Sequence, residues 1–142
     1  MADDRPAAWL LKTEPESYSF DDLVRDGTTV WDGITNPVAL RNVRGMHAGD
    51  RVVIYHTGKE KAAVGWARVA RAAYPDPAAE ANRLVVDIVA EGRLDRSVAL
   101  AALKTASEFA GSPLVLQGRL SVVPLSASQL AALQRMSSGG SE

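Results

Sequence analysis

The feature that most limits how this chain folds is a pair of strand-like runs between residues 51 and 72. Arg51-Val52-Val53-Ile54-Tyr55-His56 is rich in β-branched and aromatic residues. It opens after Gly49-Asp50 and closes at Thr57-Gly58-Lys59-Glu60, and Ala63 to Ala72 follows at hairpin distance. An apolar run bounded by turn residues and followed by a second such run predicts an antiparallel pair. Other strand signals surround it. Ala7 to Lys12 is apolar between Pro6 and Pro15, Thr28 to Trp31 is β-prone, and Leu84 to Ala90 is apolar. Leu114 to Val123 carries a strand pattern around Gln117-Gly118-Arg119-Leu120-Ser121. The helical signals are short. Ser19 caps a helix ending at Gly27, with Asp21 and Asp22 suited to its positive first turn. Asn36-Pro37 reads as an N-cap with proline at the first helical position, followed by Val38, Leu40, Val43 and Met46. Val98 to Lys104 reads as a short helix. Ser126 opens another through Met136, with Gln129 at capping-box spacing. Tyr74-Pro75-Asp76-Pro77 reads as a rigid break. Short helices mixed with hairpin strands predict an α+β domain with an antiparallel, barrel-like sheet, since closure is how small strand-rich domains hide their edges. At 142 residues the chain holds one domain, expected over residues 8–136 with tails at 1–7 and 137–142.

Composition excludes several function classes. There is no cysteine, hence no disulfide scaffold, thiolate metal site or cysteine nucleophile. A reducing, cytoplasmic compartment is the expectation. No window approaches 18 apolar residues, and the acidic start lacks the apolar stretch of a signal peptide, so no membrane association is expected. The net charge is −1 but unevenly spread: residues 1–32 balance to −5 and residues 33–71 to +5. A near-neutral total argues against sequence-blind coating of nucleic acid, which needs many phosphate contacts. The basic stretch still allows one directed phosphate-contact surface, with Arg41, Arg44, Arg68 and Arg71 as its candidates. The plainer reading of such a run is a solvated face.

No catalytic machinery assembles from the residues. His47 and His56 are the only imidazoles, nine positions apart, with no carboxylate at metal-ligand spacing. No phosphate-cradling glycine loop and no nucleophile elbow are present. We expect no metal and no cofactor. Trp9, Tyr18, Trp31, Tyr55, Trp66 and Tyr74 all precede residue 75. Trp9 and Trp66 read as core. Trp31 sits beside Asp32-Gly33 and Thr35-Asn36, the setting of a ring that could stack on a planar ligand whose edges neighbouring polar groups read.

Seven fragments in order carry a further signal: Trp9-Leu10-Leu11-Lys12-Thr13-Glu14-Pro15-Glu16-Ser17-Tyr18, Trp31-Asp32-Gly33-Ile34-Thr35-Asn36-Pro37, Met46-His47-Ala48-Gly49-Asp50-Arg51-Val52, Tyr55-His56-Thr57-Gly58, Val64-Gly65, Ala73-Tyr74-Pro75-Asp76-Pro77 and Gln117-Gly118-Arg119-Leu120-Ser121-Val122-Val123-Pro124. Together they resemble the EVE-domain family over residues 8 to about 136. The resemblance implies a PUA-like fold, a small partly open barrel of antiparallel and mixed strands with helices around it. It also implies binding of nucleic acid carrying a modified base, DNA favoured over RNA, and no enzymatic activity. The mechanism expected is a flipped or single-stranded base entering a pocket, stacked on Trp31. Family-like pocket positions are Trp31, Asn36, Tyr55, His56 and Thr57. Lys12, Glu14 and Tyr18 line or shape the pocket, and Gln117, Arg119 and Ser121 supply donors or a phosphate contact.

The sequence departs from the commoner family pattern after Trp-x-Gly-Val, which is Arg-Asn-x-Gln-Ala-Arg. Here Thr35, Val38 and Leu40 occupy the arginine, glutamine and second arginine positions. Arg41 follows one step later, ~100° around a helix. Two alternatives accompany this reading: an RNA-binding PUA-like module, and a nucleoside-directed hydrolase resembling ASCH-type relatives, with His56 and Glu14 or Lys12 as an acid–base set.

Overall fold

The computed structural model describes residues 5–77 and 83–138. Among these residues, six strands form one mixed sheet: β1 (Ala8–Thr13), β2 (Thr28–Trp31), β3 (Arg51–His56), β4 (Ala62–Pro75), β5 (Leu84–Ala99) and β6 (Val122–Leu125). Their spatial order is β2-β5-β4-β3-β1-β6. β1 runs parallel to β3, and each other neighbouring pair is antiparallel. The sheet is not closed, because β2 and β6 are its two edges. Among the described residues, five α-helices flank it: α1 (Phe20–Asp26), α2 (Pro37–Arg44), α3 (Leu100–Thr105), α4 (Pro113–Leu116) and α5 (Ala127–Ser137). This is the open, mixed α+β architecture expected of a PUA-like domain. Among the described residues, no helix is long and apolar enough to cross a membrane.

Local chemistry sets most boundaries. The Ser19 hydroxyl accepts from Asp22 N while the Asp22 carboxylate accepts from Ser19 N, a reciprocal cap that starts α1. Gly27 ends it with φ at 77°, a backbone that only glycine adopts cheaply. The Asn36 side-chain oxygen accepts from Val38 N and Ala39 N, with Pro37 opening α2. Ser126 and Gln129 repeat the reciprocal cap on α5. α1, β2 and α2 together form the crossover that lets β1 and β3 lie parallel. The core lies between the sheet and its helices, filled by Leu10, Leu11, Phe20, Ile54, Phe109 and Leu133. Phe20 lies flat against the backbone of Gly65, where a Cβ would come within 2.3 Å of its ring.

Four expectations are corrected. The strand expected around Gln117–Ser121 begins only at Val122. Ser112 instead caps a helix through Leu114 N, Pro113 occupies its first turn, and Leu120 N donates to Gln117 O in the turn beyond. This is the same Asx/Ser-Pro signal that starts α2. β5 runs sixteen residues, far past Ala90. Its pairing shifts where Gly92 faces Trp66 and Ala90 faces Ala67, so Glu91 is extra, and this bulge lets a charged run continue as strand. Val98 and Ala99 therefore pair with Ala63 and Ala62, and α3 starts at Leu100. Tyr74 and Pro75 do not break β4 but end it, paired with Val85 and Leu84.

At the chain ends, Ser137 is the buried last residue of α5, not the start of a tail. Arg5 is tied to the Asp50 carboxylate at 2.9 Å. The remainder of both expected tails, residues 1–4 and 139–142, lies outside the described residues.

Candidate functional site

A cleft of about 570 Å³, open to solvent, lies where the end of β1 faces β2. That volume is within the ~300–1,000 Å³ of ordinary ligand sites. Lys12, Thr13 and Glu14 enter it from β1 and the turn that follows, Ser17 and Tyr18 from the lead into α1, and Thr29 to Gly33 from β2 and its continuation. The turn is braced on itself. Glu14 O accepts from Ser17 N and Tyr18 N, and Thr13 Oγ1 donates to Tyr18 O at 2.6 Å. This folds the Tyr18 ring back onto Trp31, edge to face, with centroids 6.2 Å apart and planes at 84°. Trp31 is half-buried, so it forms a wall of the cleft without being sealed in the core.

The charged groups differ in how far they are committed. Lys12 Nζ donates to Gly118 O at 2.9 Å and sits 5.6 Å from the centre of the Tyr55 ring, within cation–π range. Burial pulls its pKa below the ordinary lysine value. The Tyr18 hydroxyl donates to Asp26 at 2.7 Å. Its pKa is raised, first by burial and also by the Asp26 carboxylate, while a hydrogen bond with Thr29 works the other way. Burial likewise raises the Tyr55 phenol.

Of the residues expected at the pocket, the fold brings Lys12, Glu14, Tyr18 and Trp31 together. Asn36, Gln117 and Arg119 line a separate depression with Val38, Leu116, Gly118 and Leu120. The two hollows adjoin: Gly118, on the wall of the second, holds Lys12 of the first. The oxygen of Asn36 is already used in capping α2. Tyr55 is 3% exposed and lies beneath Lys12. Thr57 stands behind the cleft, its N–H donating to Thr13 O at 2.9 Å. Ser121 takes part through its carbonyl, which accepts from Lys12 N.

His56 is 8% exposed and does not line the cleft. Its Nε2 accepts from Phe20 N at 3.0 Å, and its Nδ1 lies 2.8 Å from Glu60. An imidazole that accepts at Nε2 carries its proton on Nδ1, so both nitrogens are spent on structure. The expected basic surface also disperses. Arg41 and Arg44 lie exposed on α2; Arg68 is bonded to Glu91 and Gly49 O; Arg71 stacks 3.7 Å over Tyr74. None of the four lines the cleft. Of the departures from the family pattern, Leu40 is partly buried against the core and Val38 lines the neighbouring depression.

Sequence reasoning did not single out Thr13, Ser17, Thr29 and Val30, and named Asp32 and Gly33 only as the setting of Trp31. Thr29 was within reach, since it lies two residues from Trp31 on the same face of a strand.

The sequence model of the EVE domain matches residues 7–136. The chain belongs to the EVE-domain family. Human thymocyte nuclear protein 1 is 30% identical over 152 residues, covering 82% of this chain and 68% of that protein. The chicken protein of the same name is 38% identical over 80 residues, which span 48% of this chain and 33% of that protein. Among solved structures, a Rhodopseudomonas palustris protein superposes with a TM-score of 0.88 at 35% identity, covering 96% of each chain. Human THYN1, crystallised with DNA containing 5-methylcytosine, superposes with a TM-score of 0.82 at 28% identity, covering 95% of this chain and 98% of that one. The EVE fold thus accounts for the open six-stranded sheet.

Proposed function

We propose that this chain is a DNA-binding module that seats one modified base in the cleft, stacked on Trp31, and that it is not an enzyme. The observation that carries the reading is the half-buried indole on the wall of a solvent-open cleft of about 570 Å³. Stacking on such a ring is worth ~1–3 kcal/mol per base. That offsets much of the few kcal/mol needed to extract a base from a duplex. Lys12 and the hydroxyls of Thr13, Ser17 and Thr29 supply hydrogen-bonding groups for the ring edge. The adjoining depression, with Gln117 and Arg119, takes the neighbouring nucleotide, and Arg41 and Arg44 are retained as phosphate contacts. The complex of human THYN1 with 5-methylcytosine-containing DNA supports DNA as the partner and names the first modification to try. The commitment of both His56 nitrogens to Phe20 and Glu60 supports a binding role over acid–base chemistry. A cytoplasmic site of action goes with this reading, since a chain without cysteine suits a reducing compartment.

The test is titration of fluorescent oligonucleotides bearing one 5-methylcytosine or one cytosine, with Trp31→Ala as control. We expect tighter binding of the methylated strand and a loss of about five- to a hundredfold in the variant. Equal affinity for both strands, or an unaffected variant, overturns the reading. Preference for an RNA of the same sequence redirects it to RNA.

A further inference from the structure

Away from the cleft, one cation stands unbalanced. Among the described residues, Arg51 Nε is a buried side-chain nitrogen with no hydrogen-bond partner. Buried donors are nearly always paired, and an orphan points to a partner from outside the chain. The guanidinium lies 5.4 Å from the centre of the Trp66 ring, a contact that holds it in place. Arg51 also stands opposite Arg68 in the β3–β4 pair, and like charges so placed repel. Glu91 neutralises Arg68 at 2.6 Å. Arg51 makes no ion pair among the described residues.

Arg51 and Trp66 form part of the wall of a hollow of about 330 Å³. Arg93 enters it from β5 and Gln134 from α5. Arg93 is tied to Asp21, which leaves other N–H groups of its guanidinium to donate. The hollow shares no lining residue with the cleft. Arg51 pairs with Ala8, whereas Lys12 of the cleft pairs with Tyr55, ~13 Å further along the strands at ~3.3 Å per residue. Donors thus face one space from three elements. A planar carboxylate is satisfied by a single guanidinium fork, whereas a tetrahedral phosphate keeps oxygens for the other donors. Asp95 and the last turn of α5 also line the hollow. Both weaken it for an anion, so a millimolar contact is expected.

We propose that this hollow is a phosphate site, separate from the cleft, with Arg51 as its main donor. The inference does not rest on the stacking reading. The phosphate is either free in solution or part of a nucleic-acid strand, where a weak contact adds to others on the same chain.

Titration of the intact ¹⁵N-labelled protein with inorganic phosphate at constant ionic strength tests it, followed by NMR at the Trp66 indole N–H and the Arg51 Nε–H. We expect saturable shifts at both, with acetate binding more weakly. Arg51→Lys should weaken the response about fivefold or more, because an ammonium offers no fork. Asp95→Asn, at an exposed position, should tighten it about twofold or more. Trp31→Ala should leave it unchanged. Circular dichroism checks folding, and the intact protein and Asp95→Asn decide the matter even if Arg51→Lys unfolds. A second arm finds the source. If the phosphate belongs to a strand, Arg51→Gln lowers the slope of log affinity against log salt by about one, equally for methylated and plain oligonucleotides. If it is free phosphate, that slope stays and the phosphate response remains. No saturable response together with an unchanged slope overturns the inference. So does an equal response to acetate, or one indifferent to Arg51→Lys. Loss of the phosphate response in Trp31→Ala overturns it too, by placing the anion in the cleft. DNA binding indifferent to Trp31→Ala counts against the stacking reading alone.

Discussion

The Tyr18 ring meets the Trp31 ring edge-on at 6.2 Å and 84°, so one aromatic side chain sets the attitude of the other. The geometry separates two roles of Tyr18, packing and hydrogen bonding to Asp26. Such an edge contact is worth ~0.5–1.5 kcal/mol. Tyr18→Leu is therefore expected to weaken 5-methylcytosine binding about two- to tenfold, whereas Tyr18→Phe keeps the wall and changes it less than about twofold. Oligonucleotide titration of the two variants decides between packing and the hydroxyl.

His56 is expected to act on stability. Its Nε2 is the acceptor for Phe20 N at the start of α1. Removing it leaves a buried donor unpaired, at a cost of ~1–3 kcal/mol. His56→Leu should lower the urea midpoint accordingly, with the same preference for methylated strands in the folded fraction. A variant of unchanged stability that loses only that preference would return His56 to the pocket.

Gly65→Ala is expected to destabilise the fold by a steric clash. Its Cβ would lie 2.3–2.5 Å from three atoms of the fully buried Phe20 ring. Overpacking of this kind costs ~1–3 kcal/mol or more. Thermal unfolding should show the loss, and Phe20→Leu in the same chain should restore part of it. No recovery in the double variant would show that the ring is not the obstacle.

Asp50 gives a pH dependence. Burial by itself would raise its pKa, but hydrogen bonds from His47 N, Trp9 Nε1 and Arg5 hold it below the ordinary aspartate value. A carboxyl group depressed in the folded state adds stability above its unfolded pKa and loses it as pH falls through the folded one. Stability should therefore drop on acidification below about pH 4. Asp50→Asn should be less stable at pH 7 and should show a flatter acid limb in denaturant titrations from pH 7 to 2. An unchanged acid limb would remove Asp50 from the account.

Elements built from contacts a few residues apart were legible. Ser19, Asn36 and Ser126 announce three helices because each cap reaches only two or three positions ahead. The hairpin from Arg51 is equally local. β5 beyond Ala90 was not legible, because its charged residues continue as strand only through the bulge opposite Trp66 and Ala67.

Residue chemistry and order along the chain were enough to determine the α+β class, the starts of α1, α2 and α5, the central strands and the family. Which aromatic ring remains reachable was decided only in three dimensions. Trp9 is sealed and bonded to Asp50, 41 positions away. Trp66, expected in the core, is only partly buried beneath Arg51. Trp31 stays half open because it lies on an edge strand. His56 is used up by Phe20, 36 positions earlier. The physical reason is that burial and spent hydrogen-bonding capacity belong to pairs of groups distant along the chain, which no local pattern encodes.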